Sequence, residues 1–136
     1  MSNPQQTLSI IKPDAVERNL TDEIKAIFVK NNLKIKEDKK IQITKEEAAE
    51  FYKVHQSKPF YEDLCTYLSS GPIVVMILEG ENAVLLNRDL MGATDPKKAD
   101  ENTIRKLYGI SIDKNSVHGS DSVENAKKEI NFFFKS

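Results

Sequence analysis

The chain has few of the residue types that often carry chemistry. Its 136 residues include one cysteine, two histidines and no tryptophan. The single cysteine, Cys65, excludes an internal disulfide and a multi-cysteine zinc site, and it favours a reducing compartment. The two histidines, His55 and His118, do not have the spacing of a histidine metal site. We interpret Cys65, which lies beside an apolar stripe, as a small core residue.

Glycine is also scarce, with five residues, and neither glycine-rich phosphate-binding motif is present. The sequence contains no Gly-x-x-x-x-Gly-Lys-Ser/Thr loop and no Gly-x-Gly-x-x-Gly turn. A net charge of −1 provides no general basic field, so neither nucleic acid nor an anionic membrane surface is expected as a partner. Any binding of polyanions must come from a local cluster of cations.

Long hydrophobic stretches are missing as well. The longest apolar run, residues 73–78, is far too short to cross a bilayer. The polar first residues do not resemble a signal peptide, so we expect a cytoplasmic location. Apolar residues make up 39% and charged residues 30%, a balance typical of globular proteins. With no repeat or linker in view, residues 1–136 are expected to form one domain.

Apolar periodicity predicts a mixed order of strands and helices. Strands are expected at residues 7–11, at 33–43 with a bulge near Glu37-Asp38, at 73–78, and briefly at Val117-His118. The run at 73–78 should be a central strand, because both of its faces are apolar. The order favours an α/β (α+β) sandwich, with a split β-α-β arrangement and antiparallel pairing as one candidate.

Helices are predicted from stripes at helical spacing. The first carries Leu20, Ile24, Ile27 and Phe28, and others follow Thr44, Phe60, Asn82 and Asp121. Thr44 with Glu47, and Asp121 with Glu124, have the spacing of capping boxes. The pattern weakens between residues 91 and 116, where at most a short helix near 103–107 is expected. Loops of that length inside a compact domain are usually functional.

His118 lies in a setting suited to phosphate chemistry. Gly119 permits a tight turn, Ser120 adds a hydroxyl, and a helix N-terminus, which attracts phosphate, follows at once. A histidine can act as a covalent nucleophile when its other nitrogen is held by an acceptor. Glu129 is a candidate acceptor, eleven residues further along. On local chemistry alone, the alternative is that His118 is an ordinary turn residue beside a helix.

Five segments then resemble, in order and with similar spacing, the nucleoside diphosphate kinase family. They are SIIKPDAV at 9–16, SGP at 70–72, MGATDP at 91–96, TIR at 103–105 and HGSDS at 118–122. The last segment is highly specific, and the match covers nearly the whole chain. Asp95 and Asn102 depart from residues common in the family, but neither replaces a matched catalytic residue.

The resemblance implies a role for each matched residue. His118 would be the nucleophile that becomes phosphohistidine, Glu129 the carboxylate that orients its ring, and Ser120 the adjacent hydroxyl. Lys12, Arg88 and Arg105 would hold the phosphates, and Thr94 would donate a hydroxyl to them. Tyr52 would be a phenol near Lys12 and the histidine, Phe60 would stack on the base opposite Ile112, and Asn115 would contact ribose and phosphate.

The resemblance also implies the fold and the reaction. The fold would be ferredoxin-like, with a four-stranded antiparallel sheet and helices packed on it. The reaction would be ATP + NDP ⇌ ADP + NTP by a ping-pong mechanism, with Mg²⁺ bound mainly through phosphate oxygens. A homo-oligomer, tetramer or hexamer, would be expected. Two rival readings remain: a non-catalytic nucleotide-binding regulatory module on the same fold, and a weaker nucleic-acid-binding role.

Overall fold

A four-stranded sheet forms the centre of the protein in a computed structural model. The structure describes residues 5–53, 57, 59, 61–92, 96–101, 103–109, 117–120 and 122–134. The strands are β1 (Gln5–Ile11), β2 (Lys34–Ile41), β3 (Ile73–Gly80) and β4 (Val117–Gly119). They pair antiparallel in the order β2-β3-β1-β4.

The burial of the strands follows their sequence patterns. The apolar run of β3 is buried from Ile73 to Leu78 and pairs on both sides, so the predicted central strand is confirmed. β2 lies at the edge and is mostly exposed and charged, with half-buried isoleucines only at Ile35 and Ile41. Its register against β3 shifts between Ile35 and Glu37, just before the predicted bulge.

Helices cover both faces of the sheet. They are α1 (Pro13–Glu17), α2 (Thr21–Lys30), α3 (Lys45–Phe51), α4 (Tyr61–Leu68), α5 (Ala83–Met91), α6 (Ile104–Tyr108) and α7 (Val123–Phe133), with a 3-10 turn at Pro96–Lys98. The sequence patterns did not predict α1, although proline at its first position is favourable because the missing N–H needs no partner there. In the described part of the chain, no helix has the length and apolarity to span a membrane.

The capping predictions have different outcomes. The box at Thr44 is confirmed: the Glu47 amide donates to Thr44 Oγ1 over 3.1 Å, and the Thr44 amide donates to Glu47 Oε1 over 3.0 Å. The predicted box of Asp121 with Glu124 is wrong. α7 is capped by Ser122, whose hydroxyl accepts from the Asn125 amide, because helix entry falls one residue later. Asp121 itself lies outside the described residues.

Two apolar clusters pack on opposite faces of the sheet. Side chains of β1 alternate between them: Leu8 and Ile10 belong to the cluster under α3, α4 and α7, whereas Ile11 belongs to the cluster under α2 and α5. Cys65 is buried in the first of these, as predicted. The arrangement confirms the α+β sandwich with a four-stranded antiparallel sheet.

Candidate active site

The site lies on the face of the sheet that α7 and α3 cover. In the β1–β4 pairing, His118 is opposite Ile10, so its side chain shares the face of Ile10 rather than that of Ile11. The imidazole is 22% exposed. It is therefore held by the protein on most sides but still accessible to a substrate.

A carboxylate and a hydroxyl fix one side of the imidazole. Glu129, on α7, places Oε1 at 3.0 Å from His118 Nε2. The buried Ser120 donates its hydroxyl to the same Oε1 over 2.9 Å. A carboxylate only accepts hydrogen bonds, so the neutral imidazole carries its proton on Nε2 and its lone pair on Nδ1. The arrangement leaves Nδ1 as the ring nitrogen that could act as a nucleophile.

The backbone holds Ser120 in turn. Its amide donates to the Leu8 carbonyl over 3.2 Å, and its hydroxyl accepts from the Leu8 amide over 3.4 Å. Ser120 thereby extends the pairing of β4 with β1 beyond Gly119. Since His118 and Ser120 are two residues apart on an extended segment, they point the same way and reach one carboxylate.

Two aromatic rings, one from α3 and one from its C-cap residue, pack against the other side of the His118 imidazole. The Phe51 ring meets the His118 ring edge-on, with centroids 5.3 Å apart, and the Tyr52 ring does so at 6.5 Å. Burial raises the pKa of the Tyr52 phenol, so it is a neutral donor at physiological pH. The family resemblance pointed to Tyr52 but not to Phe51.

Lys12 follows the last residue of β1 directly. It occupies the N-cap of α1, and its carbonyl accepts from the Ala15 and Val16 amides over 3.0 and 3.1 Å. Lys12 is only 5% exposed. The preceding residue, Ile11, pairs with Val117, so the cation stands at the same end of the sheet as the start of β4.

Arg105 is the most strongly buried arginine near β4. Its Nη1 donates to the Gly92 carbonyl and its Nη2 to the Val117 carbonyl, each over 3.0 Å. Burial, and then the charge of Arg88, lower the pKa of Arg105 to about 10. The guanidinium remains charged at neutral pH, so two cations repel each other near the start of β4. A bound polyanion would relieve that repulsion.

The sequence and the fold match one family over nearly the full length of the chain. The sequence profile of the family described as nucleoside diphosphate kinase matches residues 5–136. The chain belongs to the nucleoside diphosphate kinase family. The predictions of family, enzyme class and fold made from the sequence are therefore confirmed.

Individual members of the nucleoside diphosphate kinase family are highly similar. A nucleoside diphosphate kinase of a Nitratiruptor species is 59% identical over 130 residues, covering 96% of this chain and 95% of that protein. One from Wolinella succinogenes is 58% identical with the same coverage. The crystal structure of the Aquifex aeolicus nucleoside diphosphate kinase superimposes with a TM-score of 0.95 at 40% identity, covering 98% of this chain and 96% of that one.

The described structure brings together part of the predicted nucleoside diphosphate kinase site. His118, Glu129, Ser120 and Tyr52 form one cluster, and Arg105 reaches the carbonyl of the residue before His118. The predicted contacts Phe60, Thr94, Ile112 and Asn115, together with His55, lie outside the described residues. Among the described residues, no group of three or more His, Cys, Asp or Glu is arranged to hold a metal ion.

Proposed function

We propose that the protein transfers the γ-phosphate of ATP to nucleoside diphosphates through a phosphohistidine on His118. The observation that carries this proposal is the 3.0 Å contact between His118 Nε2 and Glu129 Oε1, which leaves the nucleophilic lone pair on Nδ1. In the first half-reaction Nδ1 attacks the γ-phosphorus, the bond to the bridging oxygen breaks, and ADP leaves with that electron pair. In the second, a terminal phosphate oxygen of the acceptor takes the phosphoryl group from Nδ1.

Charge stabilisation and positioning do most of the work in such a transfer. Lys12, Arg88 and Arg105 would neutralise the phosphates, and Thr94 would add a hydrogen bond. The Glu129 carboxylate would stabilise the positive charge that builds on the ring as Nδ1 bonds to phosphorus. Tyr52, a neutral donor, would donate a hydrogen bond to a phosphate oxygen or to the imidazole ring. Phe60 and Ile112 would sandwich the base without reading it, and Asn115 would contact the ribose.

Magnesium would arrive with the nucleotide. Mg²⁺ prefers phosphate oxygens and water over a cage of protein ligands, and it would neutralise part of the triphosphate charge. We further propose that residues 1–136 act as one domain within a cytoplasmic homo-oligomer, either a tetramer or a hexamer. Sedimentation analysis of the purified protein distinguishes the two assemblies.

The decisive experiment follows one labelled phosphoryl group. Incubation with γ-labelled ATP should place an acid-labile label on the protein, and added GDP should remove it as labelled GTP. His118→Ala should abolish the label and lower the exchange rate by more than roughly 1,000-fold, because the nucleophile is gone. His55→Gln, which alters the other histidine, is the matched control and should retain activity.

The same experiment tests the alternative of a non-catalytic nucleotide-binding regulatory module. That alternative predicts that the native protein binds ATP, measured by calorimetry, but never becomes labelled. A native protein that binds nucleotide without forming labelled His118 would overturn the proposed transfer mechanism. If His118→Ala retains ATP binding while exchange is lost, binding and chemistry are separate and the mechanism stands.

A further inference from the structure

A buried carboxylate outside the reacting cluster connects three elements beside the phosphate-binding cations. Asp14, two residues after Lys12, is 7% exposed. Tyr67 of α4 contacts it twice: the Asp14 amide donates to the Tyr67 hydroxyl over 3.0 Å, and that hydroxyl donates to Asp14 Oδ1. α4 is thereby fastened to the first turn of α1, directly after Lys12.

Arg18 extends the connection to α6. Its Nη2 donates to Asp14 Oδ2 over 3.0 Å and to the Tyr108 carbonyl over 2.6 Å, while its Nε donates to the Asp14 carbonyl over 3.1 Å. Tyr108 is the last residue of α6, the five-residue helix that carries Arg105. The chain of contacts therefore runs from the residues beside Lys12 to the end of the helix that carries the second cation.

The charges make this connection specific. Burial, followed by the hydrogen bond to Asp14, raises the pKa of Tyr67, so the hydroxyl keeps the proton that it donates. Arg18 pairs with the other carboxylate oxygen, and its side chain is 38% exposed against 5% for that of Asp14. Both oxygens of the buried carboxylate are thus satisfied, one by Tyr67 of α4 and the other by Arg18 at the C-terminal end of α1, a geometry that resists displacement of α4 from α1.

We propose that Asp14, held by Tyr67 and Arg18, positions Lys12 relative to Arg105 for phosphoryl transfer. Neither Tyr67 nor Arg18 is among the residues proposed to contact the nucleotide. Both would therefore act through Asp14 as positioning residues. The inference rests on the proposed function, because it assumes that Lys12 and Arg105 hold the transferring phosphates. Small displacements of such groups lower transition-state stabilisation more than they lower the charge attraction that binds the substrate.

The test uses a pair of tyrosines on the same helix. Tyr67→Phe removes the hydroxyl that meets Asp14. Tyr61→Phe removes a hydroxyl that donates to the Ala49 carbonyl over 3.0 Å, a bond that involves neither Asp14 nor Arg18. Each variant loses a side-chain hydroxyl, so each should lower the melting temperature by a few degrees. We expect only Tyr67→Phe to lower kcat, by about tenfold, with KM for the nucleoside diphosphate changed less than about threefold.

Two further variants guard against a folding artefact. Arg18→Gln alters the partly exposed member of the group and should lower kcat several-fold in a protein of native circular dichroism. In an Asp14→Asn background, adding Tyr67→Phe should lower kcat by less than about twofold further. Both changes disrupt the same contact, so their effects on kcat should not add. The proposal is overturned if Tyr67→Phe keeps native kcat, if Tyr61→Phe loses as much, or if only KM changes. Failure of the native protein to become labelled would instead overturn the proposed function.

Discussion

At the scale of single residues, the contacts around His118 define the orientation of its imidazole and leave the lone pair of the neutral ring on Nδ1. The glutamate on α7 accepts from Nε2, and Ser120 donates to the same oxygen, which fixes both the tautomer and the ring plane. Phe51 and Tyr52 limit ring rotation from the other side. In the proposed transfer, the reacting group would therefore be preorganised and would need little reorientation to meet the phosphate.

The glutamate contact leads to a prediction about rate. Glu129→Gln keeps the shape of the side chain but removes the charge that would stabilise the phosphorylated ring. A hydrogen bond to a charged group is worth about 1.5–3 kcal/mol, so the rate of phosphohistidine formation should fall roughly 10- to 150-fold. Rapid-quench measurement with labelled ATP reports this rate directly.

Glu124 provides the control for that substitution. It is an exposed glutamate in the first turn of the same helix. Glu124→Gln should leave phosphohistidine formation within about twofold of the native rate, since its charge has no partner in the reaction. Equal losses in the two variants would mean that the charge of α7 as a whole, and not the Glu129 contact, determines the rate.

At the scale of elements, the strand that carries His118, β4, packs very closely against α5. A Cβ on Gly119 would lie 2.2 Å from Asn87 Nδ2 and 2.7 Å from Met91 Cε. Asn87 is fully buried, so its side chain would have to shift within the core to make room. Only glycine at this position allows the short strand to stay paired with β1 while α5 packs over it.

Substitution of this glycine should therefore damage both fold and site. Gly119→Ala should lower the free energy of unfolding by about 1–3 kcal/mol, the usual cost of overpacking a buried position. It should also slow phosphoryl transfer, because β4 must move with His118. Urea denaturation and the label-transfer assay measure the two effects.

A compensating change identifies the cause. In the Gly119→Ala background, Asn87→Ala removes the amide that lies closest to the new methyl group. The double variant should regain part of the lost stability relative to the single one. If Asn87→Ala adds its own loss instead, the cost at Gly119 arises from backbone conformation and not from the close packing of α5.

At the scale of the whole molecule, one sheet separates two cores that must form together. Phe28 is buried with α2 and α5 on one face, and Leu68 is buried with α3, α4 and α7 on the other. β1 and β3 contribute side chains to both clusters. Because the same strands belong to both cores, loss of either core should unfold the other.

Truncation on either face tests this coupling. Leu68→Ala should lower the free energy of unfolding by about 2–5 kcal/mol and Phe28→Ala by about 3–5 kcal/mol. Each should still show a single cooperative transition. Leu85→Ala, at a leucine that is 62% exposed, should change stability by no more than about 0.5 kcal/mol. Two separate transitions, followed by circular dichroism and tyrosine fluorescence, would contradict the coupling.

Most strands, buried helix faces and one helix cap could be predicted from the sequence. The run at 73–78 has no polar face, which predicted an internal strand, and the spacing of Thr44 and Glu47 predicted their reciprocal cap. The stripe of Ile24 and Phe28 likewise predicted a buried face of α2. These features follow from periodicity and short-range hydrogen bonding, both of which act within a few residues.

The ends of helices were predicted less well than their buried faces, because several neighbouring residues can cap a helix and the local pattern does not choose between them. At α7 the sequence pattern favoured Asp121 as the cap, whereas Ser122 caps the helix in the structure. α1 was not predicted, because five residues after a proline carry too little periodic signal. Short elements take their shape from what they pack against more than from their own propensity.

For the site, the family resemblance singled out His118 and also implied that Glu129 orients its ring. The sequence sets no distance, and the packing of α7 on the sheet brings Glu129 Oε1 to 3.0 Å from the imidazole. The contacts of Phe51 with His118, and of Asp14 with Tyr67 and Arg18, had no sequence signature. The sequence by itself determined which residues can do this chemistry, while the tertiary structure decided which of them meet, because such contacts depend on how whole elements pack.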